Sequence, residues 1–211
     1  MLTLSNPNMY LDLTHNFTQD MPVFPGDAAS KLVKVADIAK DGFSDYQLTS
    51  VMHVGTHMDG PAHILMGGKM LNDYPAEKFF GRGVIIDARG KTSATEDLLS
   101  GVTIKKGDIV LLCFGWSSEF GQDEYYENYP EVSQEFAQKL TSLGVSMLGL
   151  DGPSPDRAPY PVHKILLNSD MLIIENLTNL EPLLGKHDFK VIALPSKIVA
   201  DAAFCRVVAE V

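Results

Sequence analysis

The sequence predicts a mixed α/β domain of the α+β kind, and three observations carry that prediction. Short apolar, β-branched runs bounded by Gly, Pro or Asp recur along the chain. A 3.6-residue period is clear in one stretch alone. The order of these segments is not a strict strand–helix alternation, which argues against a doubly wound sheet. The 211 residues, 45% hydrophobic and 21% charged, have ordinary globular composition and enough length for a full-sized core. A single domain over residues 1–211 is therefore expected.

The strand candidates, in chain order, are residues 10–14, 32–36, 47–53, 83–87, 109–114, 145–150, 171–175, 190–194 and 204–208. Their length and β-branched or aromatic content suit strands. The helix is residues 133–143, where Phe136, Ala137, Leu140 and Leu143 share a face and Gly144 supplies a C-terminal stop. Shorter helices are expected at 95–99, 161–167 and 180–184. The most polar segment is 117–131, where Glu119, Asp123, Glu124, Glu127 and Glu131 surround Tyr125, Tyr126 and Tyr129. A solvated loop is expected there, and a lid over an active site is the functional alternative.

Charge and composition remove several function classes. A formal net charge of −10, with nothing more basic than Lys105-Lys106, opposes nucleic acid and anionic membranes as partners. No apolar run approaches the roughly 20 residues that span a bilayer. Met1-Leu2-Thr3-Leu4-Ser5-Asn6-Pro7 lacks the basic-then-apolar order of a signal peptide, so a cytoplasmic location is expected. Cys113 and Cys205 each lie in an apolar run and read as buried free thiols. Gly144-Val145-Ser146-Met147-Leu148 lacks the second glycine of a nucleophile elbow, and no G-x-G-x-x-G occurs.

One cluster carries chemistry. Six histidines in 211 residues put about 0.3 in an average eleven-residue window, yet residues 53–63 hold three. The stretch is His53-Val54-Gly55-Thr56-His57-Met58-Asp59-Gly60-Pro61-Ala62-His63, a mixture that suits neither helix nor strand. Imidazole and carboxylate are ligands for zinc, manganese or iron, each donating from about 2 Å. A fully extended backbone would put the Cα atoms of His53 and His57 about 13 Å apart, so the chain must bend, and Gly55 permits it. His57 and Asp59 can stay on one side of an extended segment, whereas Gly60-Pro61 then turns the chain and frees His63 from the same coordination sphere. A three-ligand cluster leaves open positions, the pattern of a catalytic site, and two dispersed cysteines exclude a closed thiolate zinc site.

Distant ligands are offered by two neighbourhoods. One is the tight loop Asp151-Gly152-Pro153-Ser154-Pro155-Asp156 with His163 beyond it, and the other is Glu175 at the end of an otherwise apolar run. A carboxylate in such a run needs a partner, and a metal ion is a strong one. On spacing alone, His163 reads as a satisfied core or surface histidine and Glu175 as a strand-end surface residue rather than as ligands. His15 and His187 show no ligand spacing and are expected to be ordinary.

The run His53-x-Gly55-Thr56-His57-x-Asp59-x-Pro61-x-His63 resembles the signature of the metal-dependent cyclase-like hydrolase family, whose best-known members are bacterial kynurenine formamidases. Residues 10–14, Met21-Pro22-Val23-Phe24-Pro25-Gly26-Asp27, residues 81–87 and His163 with Glu175-Asn176-Leu177 are similar to further blocks of the family. The resemblance implies a β-barrel-like mixed sheet with flanking helices, in homodimers or homotetramers. It implies two divalent ions, zinc or manganese: His53, His57 and Asp59 hold one, and Asp59 bridges to a second held by His163 and Glu175. His63 would be the proton donor and acceptor. The implied reaction is arylformamidase hydrolysis of N-formyl-kynurenine, a step of tryptophan catabolism, by a metal-bound hydroxide. Where formamidases of this kind carry a substrate-stacking Trp, this chain has Phe24. A cyclic-amide (isatin-like) hydrolase, a cyclase/dehydratase and a non-catalytic metal-containing binding module stay open as alternatives.

Overall fold

In the computed structural model, which describes residues 9–211, the alternating apolar residues near the C-terminus form the seam of a closed sheet. The Met1 to Pro7 segment lies outside the described residues. The strands are β1 (Tyr10–Asp12), β2 (Lys31–Ala36), β3 (Asp45–Thr49), β4 (His57–Asp59), β5 (Phe80–Asp87), β6 (Ser93–Ala94), β7 (Ile109–Cys113), β8 (Glu131–Val132), β9 (Met147–Leu150), β10 (Leu172–Glu175), β11 (Lys190–Pro195) and β12 (Ala202–Glu210). The α-helices are α1 (Ile38–Asp41), α2 (Glu124–Glu127), α3 (Gln134–Ser142) and α4 (Pro161–Asn168).

Seven strands run in a ring, β12-β11-β5-β7-β9-β10-β4 and back to β12. Strands β5, β7, β9 and β10 are parallel, and the other junctions are antiparallel. Closure depends on the length of β12. Its start pairs with β4 (Ala202 opposite Asp59) and its end with β1 (Glu210 opposite Tyr10), while β11 covers the other edge. A closed ring leaves few open edges.

Side chains alternate across this wall. Ile109, Leu111 and Cys113 of β7 face inward with Met147, Ile174 and Val207. Val110 and Leu112 face outward, where Phe136 and Leu140 of α3 and Leu166 of α4 cover them. Parallel strands buried on both faces read as continuous apolar runs, which is why this part of the fold was predictable. Helix α3 begins where Ser133 Oγ accepts the Phe136 N–H at 3.2 Å, and Gly144 follows it at φ +71°.

Predicted strands at 10–14, 32–36, 83–87, 109–114, 145–150, 171–175, 190–194 and 204–208 form, with ends moved by a few residues. The predicted strand 47–53 is corrected: pairing with β2 stops at Thr49, and the backbone then bends toward Gly55 at φ +60°. The predicted helix 161–167 is α4, whereas 95–99 and 180–184 are short 3₁₀ turns, Glu96–Leu99 and Glu181–Leu183. Segment 117–131 is also corrected. Its acidic residues Asp123, Glu124 and Glu127 are exposed as expected, but Tyr125 and Tyr129 are buried, and the Tyr125 hydroxyl donates to Asn176 Oδ1 at 2.7 Å, so the tyrosines anchor the segment to the fold. Cys113 and Cys205 are buried and free. Among the described residues hairpin β2–β3 pairs only with itself, and it exposes Val33, Val35, Phe43, Tyr46 and Leu48. Among the described residues no helix is long and apolar enough to cross a membrane.

Candidate metal centre

The ring closes at the histidine-rich motif. Glu175 of β10 lies opposite His57 of β4, and Ala202 of β12 lies opposite Asp59. The 57–59 stretch is thus a strand, contrary to its composition, because pairing on both edges holds an extended backbone that local propensity does not favour. The alternation of β4 sends Met58 into the core and puts His57 and Asp59 on the other face.

Gly55 and Gly60 shape the flanks. Gly55 is in the left-handed region, and a Cβ there would lie 2.9 Å from Met21 Cε. The turn it makes returns His53, whose Nδ1 is 2.9 Å from Asp59 Oδ1. A Cβ on Gly60 would lie 3.1 Å from the Asp201 carbonyl, which accepts the Gly60 N–H at 2.8 Å. Pro61 then starts the 3₁₀ turn Pro61–His63, carrying His63 off the line of β4.

The imidazole orientations follow from their outer partners. His57 Nδ1–H donates to the Gly55 carbonyl at 2.8 Å, which leaves Nε2 as a lone pair, 3.4 Å from Asp59 Oδ1 and 3.3 Å from Glu175 Oε2. His163 Nδ1 meets Asp156 Oδ1 at 2.5 Å, and its Nε2 lies 3.4 Å from Glu175 Oε1 and 3.9 Å from Asp59 Oδ2. Second-layer partners of this kind fix which nitrogen faces a metal.

Among the described residues, four of these buried atoms, His57 Nε2, both Asp59 oxygens and Glu175 Oε1, have no partner in hydrogen-bonding geometry, the close His53 Nδ1 included. Acceptors facing one another in a buried space repel unless a cation lies between them. The residues therefore fit a divalent ion, and His53, His57 and Asp59 present ligand atoms within 4.8 Å of one another, as do Asp59, His63 and His163. The same crowding of carboxylates acts on the charge of the rings. Burial opposes charge on the rings, but Asp59 and Glu175 outweigh it and hold His57 well above the usual imidazole range. Against the same burial, Asp156 and Glu175 push His163 up to about 10. Asp59 is held well below the carboxylate range, against its burial, by His57 and His53.

The structure brings together all five predicted ligands, His53, His57, Asp59, His163 and Glu175. His63 stands beside them, its ring centroid 4.1 Å from His53 and 5.7 Å from His163. Phe24 lines a cavity of about 290 Å³ that opens onto the cluster, edge-on to Tyr126 at 5.6 Å. Asp151 does not join the cluster; its carboxylate accepts the Phe114 and Trp116 N–H groups. His15 stacks on Phe120 at 3.8 Å, and His187 is exposed. Sequence reasoning missed Asp201, placed Tyr126 only in the candidate lid segment and quoted Asn176 only as part of a family block. It quoted Asp156 only as part of a loop, without its seven-residue link to His163.

The family model described as "Putative cyclase" matches residues 11–157. The chain is 29% identical over 202 residues to a kynurenine formamidase of Erythrobacter litoralis, covering 93% of this chain and 91% of that protein. It is 29% identical over 212 residues to a kynurenine formamidase of Salinibacter ruber, covering 94% and 95%. The solved structure of isatin hydrolase A from Labrenzia aggregata, bound to benzyl benzoate, matches with a TM-score of 0.85 at 24% identity over 96% of this chain and 93% of that one. That last likeness is one of fold.

Proposed function

The chain belongs to the cyclase family, and from that premise we propose that it is a metal-dependent amide hydrolase acting on a non-peptide C–N bond, with N-formyl-kynurenine as substrate. The observation that carries this reading is the group of buried, unpartnered acceptors on His57, Asp59 and Glu175 at the floor of an aromatic-walled cavity. The relatives named kynurenine formamidase support the substrate.

His53, His57 and Asp59 would hold one ion, and Asp59 would bridge to a second held by His163 and Glu175; zinc or manganese suits this donor set. A divalent ion bound there supplies Lewis acidity to a carbonyl and acidifies water. The chain's own residues do the rest. His63, with Nδ1 directed at Asp201, has Nε2 free to take a proton from the attacking water and return it to the leaving nitrogen. The water oxygen bonds to the formyl carbon, the C–N bond breaks, and the products are kynurenine and formate. Phe24 and Tyr126 offer aromatic faces to the aryl group.

Phe24, in place of the formamidase Trp, favours a second reading in which the same groups open an isatin-like cyclic amide. Purified protein assayed with both compounds separates the two: release of formate and kynurenine supports the first, and opening of isatin alone replaces it with the second. The exposed apolar hairpin β2–β3 supports a homodimer or homotetramer, because a two-stranded hairpin is marginal in water when uncovered.

A further inference from the structure

His53 and His63 share a partner outside the two proposed ligand sets, although the three present ligand atoms within 4.8 Å of one another. Asp201 Oδ2 lies 3.0 Å from His53 Nε2 and 3.4 Å from His63 Nδ1. We propose that Asp201 is a positioning residue that fixes the tautomer and orientation of His63 and, through the same oxygen, braces the metal ligand His53. The proposal rests on the hydrolase reading above and names a group on which that reaction depends.

Three features carry it. The carboxylate's position comes from the backbone: the Asp201 carbonyl accepts the Gly60 N–H at 2.8 Å, the Ala200 carbonyl accepts the Leu71 N–H at 3.2 Å, and Ala202 pairs with Asp59. Asp201 is thus mounted on the joint that sets Asp59. Next, His63 is half-buried at most, and among the described residues its ring has no hydrogen-bonding side chain other than Asp201. Without that acceptor the ring would turn between rotamers and share its proton between both nitrogens. With it, Nδ1 keeps the proton and Nε2 holds a lone pair, the arrangement a proton acceptor needs. Finally, the His53 and His63 rings are tilted by 38° at 4.1 Å, so one oxygen between them sets both. An outer carboxylate that orients a ligand imidazole typically carries 10- to 100-fold in metal affinity or activity.

The test is Asp201→Ala, made in the parent chain and in His63→Ala. Because the anchoring bonds are backbone ones, the variant is expected to fold. At saturating zinc, kcat with N-formyl-kynurenine should fall about 10- to 100-fold with KM little changed in the parent background, and should fall no further in His63→Ala. Zinc affinity, measured by chelator competition, should weaken in both backgrounds, since the brace on His53 does not involve His63. An equal kcat loss in both backgrounds, or none in the parent, would overturn the proposal. Nitrogen chemical shifts of His63 in the zinc-loaded chain give an answer that needs no turnover. An Nδ1–H ring that becomes mixed in Asp201→Ala supports the proposal, and an Nε2–H ring in the parent sinks it. Absence of hydrolysis with an Nδ1–H ring in the parent would defeat the hydrolase reading alone.

Discussion

His163 and Asp156 form a buried pair in which Nδ1 meets Oδ1 at 2.5 Å and Nε2 is turned toward Glu175. The other carboxylate oxygen accepts the Val162 and His163 N–H groups at the start of α4, so one aspartate sets both the helix and the ring it carries. Asp156→Asn keeps an acceptor for the helix but weakens the grip on the ring. Its zinc affinity should drop 10- to 100-fold in chelator competition, with a small change in melting temperature. Unchanged affinity would remove Asp156 from the account.

His63 lies beside the proposed ligands and outside both ligand sets. His63→Ala should retain the metal content of the parent while kcat falls by a factor on the order of 10²–10⁴. Metal analysis and steady-state kinetics on the same preparation check this. A proportional loss of metal would make His63 a ligand instead of a proton carrier.

Burial lowers the His15 imidazole from 6.5 to about 4. Between those values the unfolded chain binds the proton and the folded chain does not, so the pair of states differs in protons bound. Stability is therefore full above pH 6.5 and declines as pH falls toward 4. His15→Phe, which keeps an aromatic ring against Phe120, should lose less melting temperature between pH 7 and pH 5 than the parent does. Parallel losses in the two proteins would contradict the assignment.

The exposed side chains of β2–β3 give the assembly proposal its test. Light scattering should find two or four parent chains per particle, and Val35→Lys with Leu48→Lys should yield single chains. A monomeric parent would defeat the proposal.

The legible parts of the fold were those whose burial repeats locally. In β7, residues Ile109 to Cys113 are apolar on both faces, so the run announces itself. In β4, three residues are held extended by β10 and β12, partners more than a hundred positions away, and no local pattern reports that. The motif at 53–63 was legible through its density of ligand types, and its glycines through the bends they permit. Asp201 was not, since 138 positions separate it from His63 and only ring closure joins them. Tyr125 was masked by charged neighbours in sequence; its burial comes from Asn176 and Asp151 across the fold.

The central claim is that the cluster around Asp59 holds divalent ions that drive amide hydrolysis. The most direct measurement is metal content per chain together with N-formyl-kynurenine hydrolysis, before chelation, after it, and after metal return. The account predicts near two ions per chain and activity that leaves and returns with them. A chain that binds no metal, or whose turnover is indifferent to chelation, would contradict it.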